Sequence, residues 1–600
     1  MEVYAQRAAE RRTAAAALRR RERTISIVRL ALIAAAILLA FSNPLLILIP
    51  VIAFIAILPL HERVIRRRTR AESGAAFYDR GLERVAGTWM GHGNGGEEFD
   101  EEHHPYASDF DLFGRGSLFE LICIAVTRAG RARLAAWLKQ PSLDAQEIRA
   151  RQEAVRELRE KLDLREGLAV EAAEVANEVE AAKLDAWAAM PAVNFARWER
   201  AAIRVIPYIS AIALLVTLPA LLARLAGLTH PEAALRVGWF ARVPLWPLLV
   251  IIALVWFISR QVAARVVPII AAVERAEPAL ALLAAVLARI ERETFTAPRL
   301  VAVHARIGDA ATREIEALRK LVALLDARRN QFFAPIAGLL LWTPNLALAI
   351  ERWRRRSGAR VGGWIESVGE IEALSSLASF AFEHPDFAMP DIAGDGLDAT
   401  ALGHPLIPAA RRITNDLHLG GDLRLLVISG SNMSGKSTMM RSTGIAAVLA
   451  LAGAPVCARS LRIAPMAIGA SIRINDSLQE GASRFYAEIL RIRTILEMSR
   501  AGGPMLFLLD EVLAGTNSHD RRIGAEAIVR QLVERGAIGM VTTHDLALAK
   551  IADELAPRAT NVHFDDHLED GKVVFDYRMR PGVVTKSNAL ALMRSVGIEV

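Results

Sequence analysis

Long apolar runs bounded by arginine dominate the pattern of this 600-residue chain. Residues 25–41 are apolar apart from Arg29, Ser42-Asn43-Pro44 supplies a turn, and residues 45–60 are apolar again before His61-Glu62-Arg63 and Arg66-Arg67-Arg68. Each limb is near the lower limit of about 17 residues for crossing a hydrocarbon core. Arginine clusters stand at both outer ends, so the pattern predicts a transmembrane hairpin over 25–60 with both ends in the cytoplasm. A buried soluble helix pair is the alternative, favoured by the shortness of the limbs and by Pro50 and Pro59. Residues 205–223 and 243–259 repeat the arrangement within 201–260. Arg204 and Arg224 flank the first run, and Trp239, Phe240, Trp246, Trp256 and Phe257 rim the second as an aromatic belt would.

Between these runs the periodicity is helical. Residues 1–24 form a basic Ala/Arg/Glu helix, too long and charged for the n-region of a cleaved signal. Residues 61–106, with a Gly/acidic/His stretch from Gly91 to His104, are expected to be a linker. Residues 107–200 and 261–391 carry apolar faces at about 3.6-residue spacing with charged backs. Residues 332–350 are uncharged, but a fifth span would leave the C-terminal part outside the cell, so a soluble core helix is expected there. After Pro390 the pattern changes to short strand-like runs and loops, which puts a domain boundary near 392.

Hydrophobic residues make up 53% of the chain and mean hydropathy is +0.27, with the excess concentrated in the long runs. Length suggests about three or four domains. The net charge of +7 comes from arginine, much of it flanking those runs, and is first a topology signal. It is equally compatible with nucleic acid or anionic lipid. Cys123 and Cys457 form no metal spacing and no disulfide framework, which suits a reducing cytosol. His92, His103 and His104 lack the rigid spacing of a metal site and read as a solvated loop.

Candidate chemistry concentrates beyond 425. The run Leu425-Leu426-Val427-Ile428 leads into GSNMSGKST, residues 430–438, and a helix-like segment follows from Met439. A buried strand that enters a glycine-rich turn and then a helix can wrap phosphates with its backbone N–H groups. Lys436 would reach the β/γ-phosphates and Ser437 would place a hydroxyl on Mg²⁺. Leu506-Phe507-Leu508-Leu509 is a second buried strand ending in Asp510-Glu511. Asp510 is the expected metal residue and Glu511 the expected general base. A third strand, Met540-Val541-Thr542-Thr543, ends at His544, placed to sense a γ-phosphate. The expected cofactors are ATP and Mg²⁺.

GSNMSGKSTMMR, EGASRFYAEI, LFLLDEVLAGTNSHD and VTTHD, in this order and spacing, resemble the ATPase domain of the MutS family of DNA mismatch-repair proteins, relatives of the ABC ATPases. The resemblance implies a nucleotide-sandwich dimer in which Ser483 meets the γ-phosphate held by the partner subunit. It marks Asn432 and Met433 as loop residues beside Gly430, Ser431, Ser434, Gly435, Lys436, Ser437 and Thr438. Gly515 to Asp520 would communicate between subunits, Thr542, Thr543 and His544 would form the histidine switch, and residues 575–597 would be C-terminal helices. DLFGRGSLFELI and the following GRARLAAWLKQP resemble the MutS core, and IEALSSLASFA resembles the return of the lever into the ATPase.

This sequence also departs from the family. The mismatch-reading domain with its Phe-x-Glu wedge is expected to be missing, Phe77-Tyr78-Asp79 being only a near miss. No DNA-clamp insertion is located, and no nuclease-like extension is expected. The adenine-stacking aromatic of the family falls near Arg412, whose guanidinium plane would have to serve instead.

The fold expected is multidomain: helical transmembrane hairpins, an all-α core and lever region, and a C-terminal α/β P-loop domain of ABC-like type over 392–600. The expected protein is a multi-pass protein of the cytoplasmic membrane with its ATPase domain in the cytoplasm, a homodimer through that domain, hydrolysing Mg-ATP with Lys436, Glu511 and His544 in catalysis. Mismatched or branched DNA is one expected ligand. An ABC-like ATPase acting on membrane or protein partners without DNA is the alternative, and a binding module that uses ATP only as a clamp is a third reading.

Overall fold

The computed structural model describes residues 1–42, 44–173, 181–229, 244, 246–331, 333–431, 433–473, 484–543, 546–569 and 572–584. The chain divides into two compact units. One comprises residues 1–170, 294–302 and 369–600, the other residues 171–293 and 303–368. The N-terminal part is helical and the C-terminal part is α/β, as the periodicity predicts.

In the first unit the basic N-terminal segment and the first apolar limb are one helix, Glu2–Ser42, and its partner Leu48–Ala86 runs straight through the front of the stretch expected to be a linker. Pro50 is tolerated because it lies in the first turn, where its missing N–H has no intrahelical partner. The second helix stops at Gly87, whose φ of 78° lets its own N–H and that of Thr88 close on the carbonyls of Arg84 and Glu83.

In the rest of the expected linker His92 and His103 are exposed, as a solvated loop implies, whereas the loop is tied to Glu120 and His104 departs from that reading. Gly91 and Gly93 donate to Glu120 Oε1 at 2.6 and 3.0 Å, and Gly116 donates to Oε2 at 2.6 Å. His104 is buried, with Nε2 3.0 Å from the Lys139 carbonyl and Nδ1 accepting from Ala107 N at 3.1 Å. A buried carboxylate that gathers backbone donors organises a loop that composition alone reads as disordered.

Three short core helices follow, capped by Ser117, Thr127 and Asp144. Phe110, fully buried, packs on the helix Lys436–Ala452, where a Cβ on Gly444 would fall 2.1 Å from its ring. Gly444→Ala is therefore expected to overpack this contact and cost about 1–3 kcal/mol, measured as a lowered thermal midpoint of the purified protein. An unchanged midpoint would show that the ring can move.

Two sheets complete this unit. β1 (Asp391–Ile392), β2 (Leu397–Leu402), β3 (Asn415–Leu419) and β5 (Ser460–Ile463) form one in the order β1-β5-β2-β3. The other contains β4 (Leu425–Gly430), β6 (Ala467–Ser471), β7 (Met505–Leu509), β8 (Ile538–Thr543), β9 (Ala559–Glu569) and β10 (Lys572–Pro581) in the order β10-β9-β4-β8-β7-β6. All neighbours in it are parallel except β9 and β10. β4, β7 and β8 are buried at every position because helices cover both faces, hence their unbroken apolar runs. Residues 575–581, expected in a helix, lie in β10, and residues 585–600 lie outside the described residues.

The second unit is helical. Arg197–Thr229 carries the third apolar run, and the fourth opens Trp246–Ile290, a 45-residue helix far longer than its apolar part. Arg265 pairs with the buried Glu199, and Trp187 stacks on Trp353 at 6.1 Å. The stretch 332–350 is not one helix. Ala334–Leu339 ends before Leu341, which takes a φ of 46°, and Trp342–Glu383 begins after it, with Pro344 in its first turn. Phe332 lies outside the described residues. Among the described helices, Glu2–Ser42, Leu48–Ala86, Arg197–Thr217 and Trp246–Ile290 are long and apolar enough to cross a membrane by length and composition.

Candidate active site

β4 delivers the chain into the glycine-rich loop at the C-terminal edge of the parallel sheet, where open α/β sheets place their ligands. Gly430 and Gly435 hold φ of 148° and 110°. A Cβ on Gly430 would lie 2.9 Å from the Phe564 carbonyl, so both conformation and space require glycine there. Met433, at φ 71°, is 83% exposed and forms the outer tip of the loop. The helix Lys436–Ala452 starts immediately, aiming its first N–H groups and the positive end of its dipole at the loop.

Lys436 is buried, and its ammonium donates to the carbonyls of Gly430 at 2.8 Å and Ser431 at 2.9 Å. Burial pulls its pKa down, opposed by the charges of Glu511 and Asp510. Ser434 Oγ closes the loop onto the Ser431 carbonyl at 2.8 Å. Ser431 Oγ is buried with no hydrogen-bond partner among the described residues. A hydroxyl left unsatisfied in a ring of backbone donors fits an anionic ligand with several acceptor oxygens. Thr438 is exposed on the first turn, its carbonyl accepting from Ser442 Oγ at 2.8 Å.

Ser437 Oγ donates to Asp510 Oδ2 at 2.5 Å, joining loop and β7 end. Thr542 Oγ1 donates to Asp510 Oδ1 and accepts from Glu511 N at 2.9 Å. Asp510 N donates to the Ser471 carbonyl at 2.9 Å. A hydroxyl and a carboxylate converging beside the loop are hard oxygen donors suited to Mg²⁺. Glu511 has a φ of 46° and Leu513 one of 56°, conformations that non-glycine residues adopt at a cost and that cluster at functional sites.

The structure thus brings together Gly430, Ser431, Ser434, Gly435, Lys436, Ser437, Asp510 and Glu511. Asn432, Ser483 and His544 lie outside the described residues. Arg412 is anchored through the edge of its side chain. Its guanidinium donates to the carbonyls of His404 and Ile407 and sits 5.4 Å from the Phe387 ring centre. Sequence reasoning missed Tyr577, 43% exposed at φ 54° on the β10 bulge, whose ring would lie 3.1 Å from a Cβ on Gly435. It also missed Thr542 as the bridge between Asp510 and Glu511. The polar pair Thr542-Thr543 at the end of an apolar strand was the available signal for Thr542, whereas a register shift has none.

Residues 426–599 match the family model described as MutS domain V, and residues 104–200 match MutS domain III. The chain is similar to the DNA mismatch repair protein MutS 2 of Halobacterium salinarum, 35% identical over 237 residues, which is 39% of this chain and 27% of that protein. It is likewise similar to the DNA mismatch repair protein MutS 2 of Haloarcula marismortui, 31% identical over 262 residues, 40% of this chain and 27% of that protein. A third relative is the DNA mismatch repair protein MutS of Natronomonas pharaonis, 32% identical over 244 residues, 40% of this chain and 28% of that protein. The matched part spans little more than a quarter of the length of these relatives. Residues 104–200 and 426–599 are thus similar to two domains of the MutS family, the second carrying the glycine-rich loop and the carboxylate pair.

Proposed function

We propose that the chain is a membrane-anchored MutS-type ATPase that binds Mg-ATP between the ATPase domains of two copies and couples hydrolysis to movement of its helical levers. The observation that carries the reading is the Ser437–Asp510 contact of 2.5 Å beside the buried Lys436 ammonium. Loop N–H groups and Lys436 would bind and orient the phosphates, and Ser437 and Asp510 would hold Mg²⁺. The bound ion would neutralise charge on the β- and γ-phosphate oxygens. Glu511, oriented through its N–H by Thr542, would take the proton of the attacking water. Ser483 and His544 are proposed at the γ-phosphate, Ser483 from the partner subunit. Tyr577 lines the loop beside Gly435.

Membrane anchoring is supported by the apolar helices and by charge at the base of the first pair. Arg68 pairs with Glu22 and Arg19 with Glu72, both at 2.7 Å, which sets the antiparallel register of the two helices. The exposed Arg20, Arg21, Arg23, Arg63 and Arg67 then lie toward the same end of the apolar part of the helix pair. By the positive-inside rule this charge supports an ATPase domain on the cytoplasmic face. Mismatched or branched DNA is the ligand proposed from the family.

A second reading, a membrane ATPase working on lipid or protein partners, is favoured by the tie between the first helix pair and the start of the ATPase region. Arg84 binds Glu383 through two hydrogen bonds of 2.7 and 2.6 Å, and Tyr4 donates to the same carboxylate at 3.2 Å. The test is ATP hydrolysis by the purified full-length protein with homoduplex, mismatched or branched DNA, and with liposomes alone. DNA stimulation with a steep loss on adding salt is expected. Stimulation by liposomes with no DNA effect would replace the first reading by the second.

A further inference from the structure

MutS domain III residues reach the active-site elements through one buried carboxylate. Asp109 is fully buried. Its Oδ1 accepts from the N–H groups of Ile472 and Arg473, both at 2.7 Å, and its Oδ2 accepts from Arg491 Nη1 at 2.7 Å. Ile472 directly follows Ser471, whose carbonyl receives Asp510 N. Arg491 lies one helical turn after Glu488 on the helix Arg484–Arg500. The buried Glu488 accepts from Leu513 N at 2.6 Å through Oε1, and so holds the left-handed turn that contains Glu511. One carboxylate therefore touches the two elements that orient Asp510 and Glu511. Its neighbour Asp111 adds a third, pairing with Arg473 at 2.6 Å and with Arg441 at 3.0 Å, the latter on the helix that starts at Lys436.

We propose that Asp109 is a positioning residue for hydrolysis, setting the Asp510–Glu511 pair through Ser471 on one side and through Arg491 and Glu488 on the other. It touches neither nucleotide nor metal. The chain of contacts from Asp109 to the candidate base runs through Ser471, Arg491 and Glu488 and does not pass through the phosphate loop. The inference rests on the ATPase reading above. Burial pushes the Asp109 pKa up, opposed by the N–H groups of Arg473 and Ile472 and by the Arg491 charge.

Asp109→Asn keeps the shape and one acceptor but turns an N–H₂ toward Arg491. With full-length protein in detergent or liposomes, kcat for ATP is expected to fall roughly tenfold to a hundredfold. The Kd for Mg-bound nucleotide should stay within about threefold of wild type, below the scale of a lost direct contact. Arg491→Met removes the same bond from the other partner and is expected to give the same split. Combined with Glu488→Gln, it should cost less than the product of the two single effects.

Loss of kcat and nucleotide affinity in proportion, together with a lowered thermal midpoint, would mean a merely structural role and overturn the proposal. So would wild-type kcat in either single variant. A wild-type protein that neither binds nor hydrolyses ATP would instead sink the ATPase reading, and this inference with it.

Discussion

Glu511→Gln should bind Mg-ATP about as well as the wild-type protein and hydrolyse it roughly 10²–10⁴-fold more slowly, the range associated with loss of a positioned general base. Glu511 sits at the end of β7 in a left-handed conformation, with its N–H held by Thr542 at 2.9 Å, so the substitution leaves the backbone constraint in place. Lys436→Ala gives the opposite split. Removing the ammonium that rests on the Gly430 and Ser431 carbonyls takes away a phosphate contact and the internal tie of the loop, so affinity itself falls. Single-turnover hydrolysis together with equilibrium nucleotide binding separates the two. Wild-type turnover by Glu511→Gln would remove Glu511 from the proposed mechanism and favour a clamp that needs no hydrolysis.

The second large effect lies far from the nucleotide. Glu383→Ala is expected to destabilise the protein by about 3–5 kcal/mol, because it strands a buried guanidinium without its carboxylate. The side chains of Arg84 and Glu383 are 9% and 1% exposed, so solvent does not replace the lost partner. Tyr4 loses its acceptor in the same step. A double change to apolar residues, Arg84→Met with Glu383→Leu, should recover much of the loss, since neither charge is then buried. Thermal midpoints of the three proteins in detergent check this. Equal midpoints for wild type and Glu383→Ala would show that the helix pair is not held by this contact.

Packing overrides local composition in several segments. The stretch from 61 to 106 reads as a linker because it is rich in Gly, acidic residues and His, yet it contains most of the helix Leu48–Ala86 and a loop drawn around Glu120. Composition registers solvation and does not register a carboxylate some 27 residues further on that gathers the loop's N–H groups. The break at Leu341 was hidden in the same way, because an uncharged run looks alike whether it is one helix or two. Arg412 matched the position of a stacking group only by alignment, and the local carbonyls of His404 and Ile407 take up its donors.

The glycine-rich loop, the Asp510-Glu511 pair and the four long apolar runs were readable because each rests on short-range chemistry. Phosphate wrapping needs glycines and a lysine at fixed spacing, a carboxylate at a strand end needs an apolar run before it, and a span needs uninterrupted length. Local sequence was enough for these elements, their order and the likeness to MutS domains. Only the tertiary structure decided that Ser437 meets Asp510, that Thr542 bridges the two carboxylate residues, and that Asp109 and Glu383 join segments hundreds of positions apart. Such contacts depend on strand register and helix packing, which bring distant residues together for reasons of shape and burial that no local pattern records.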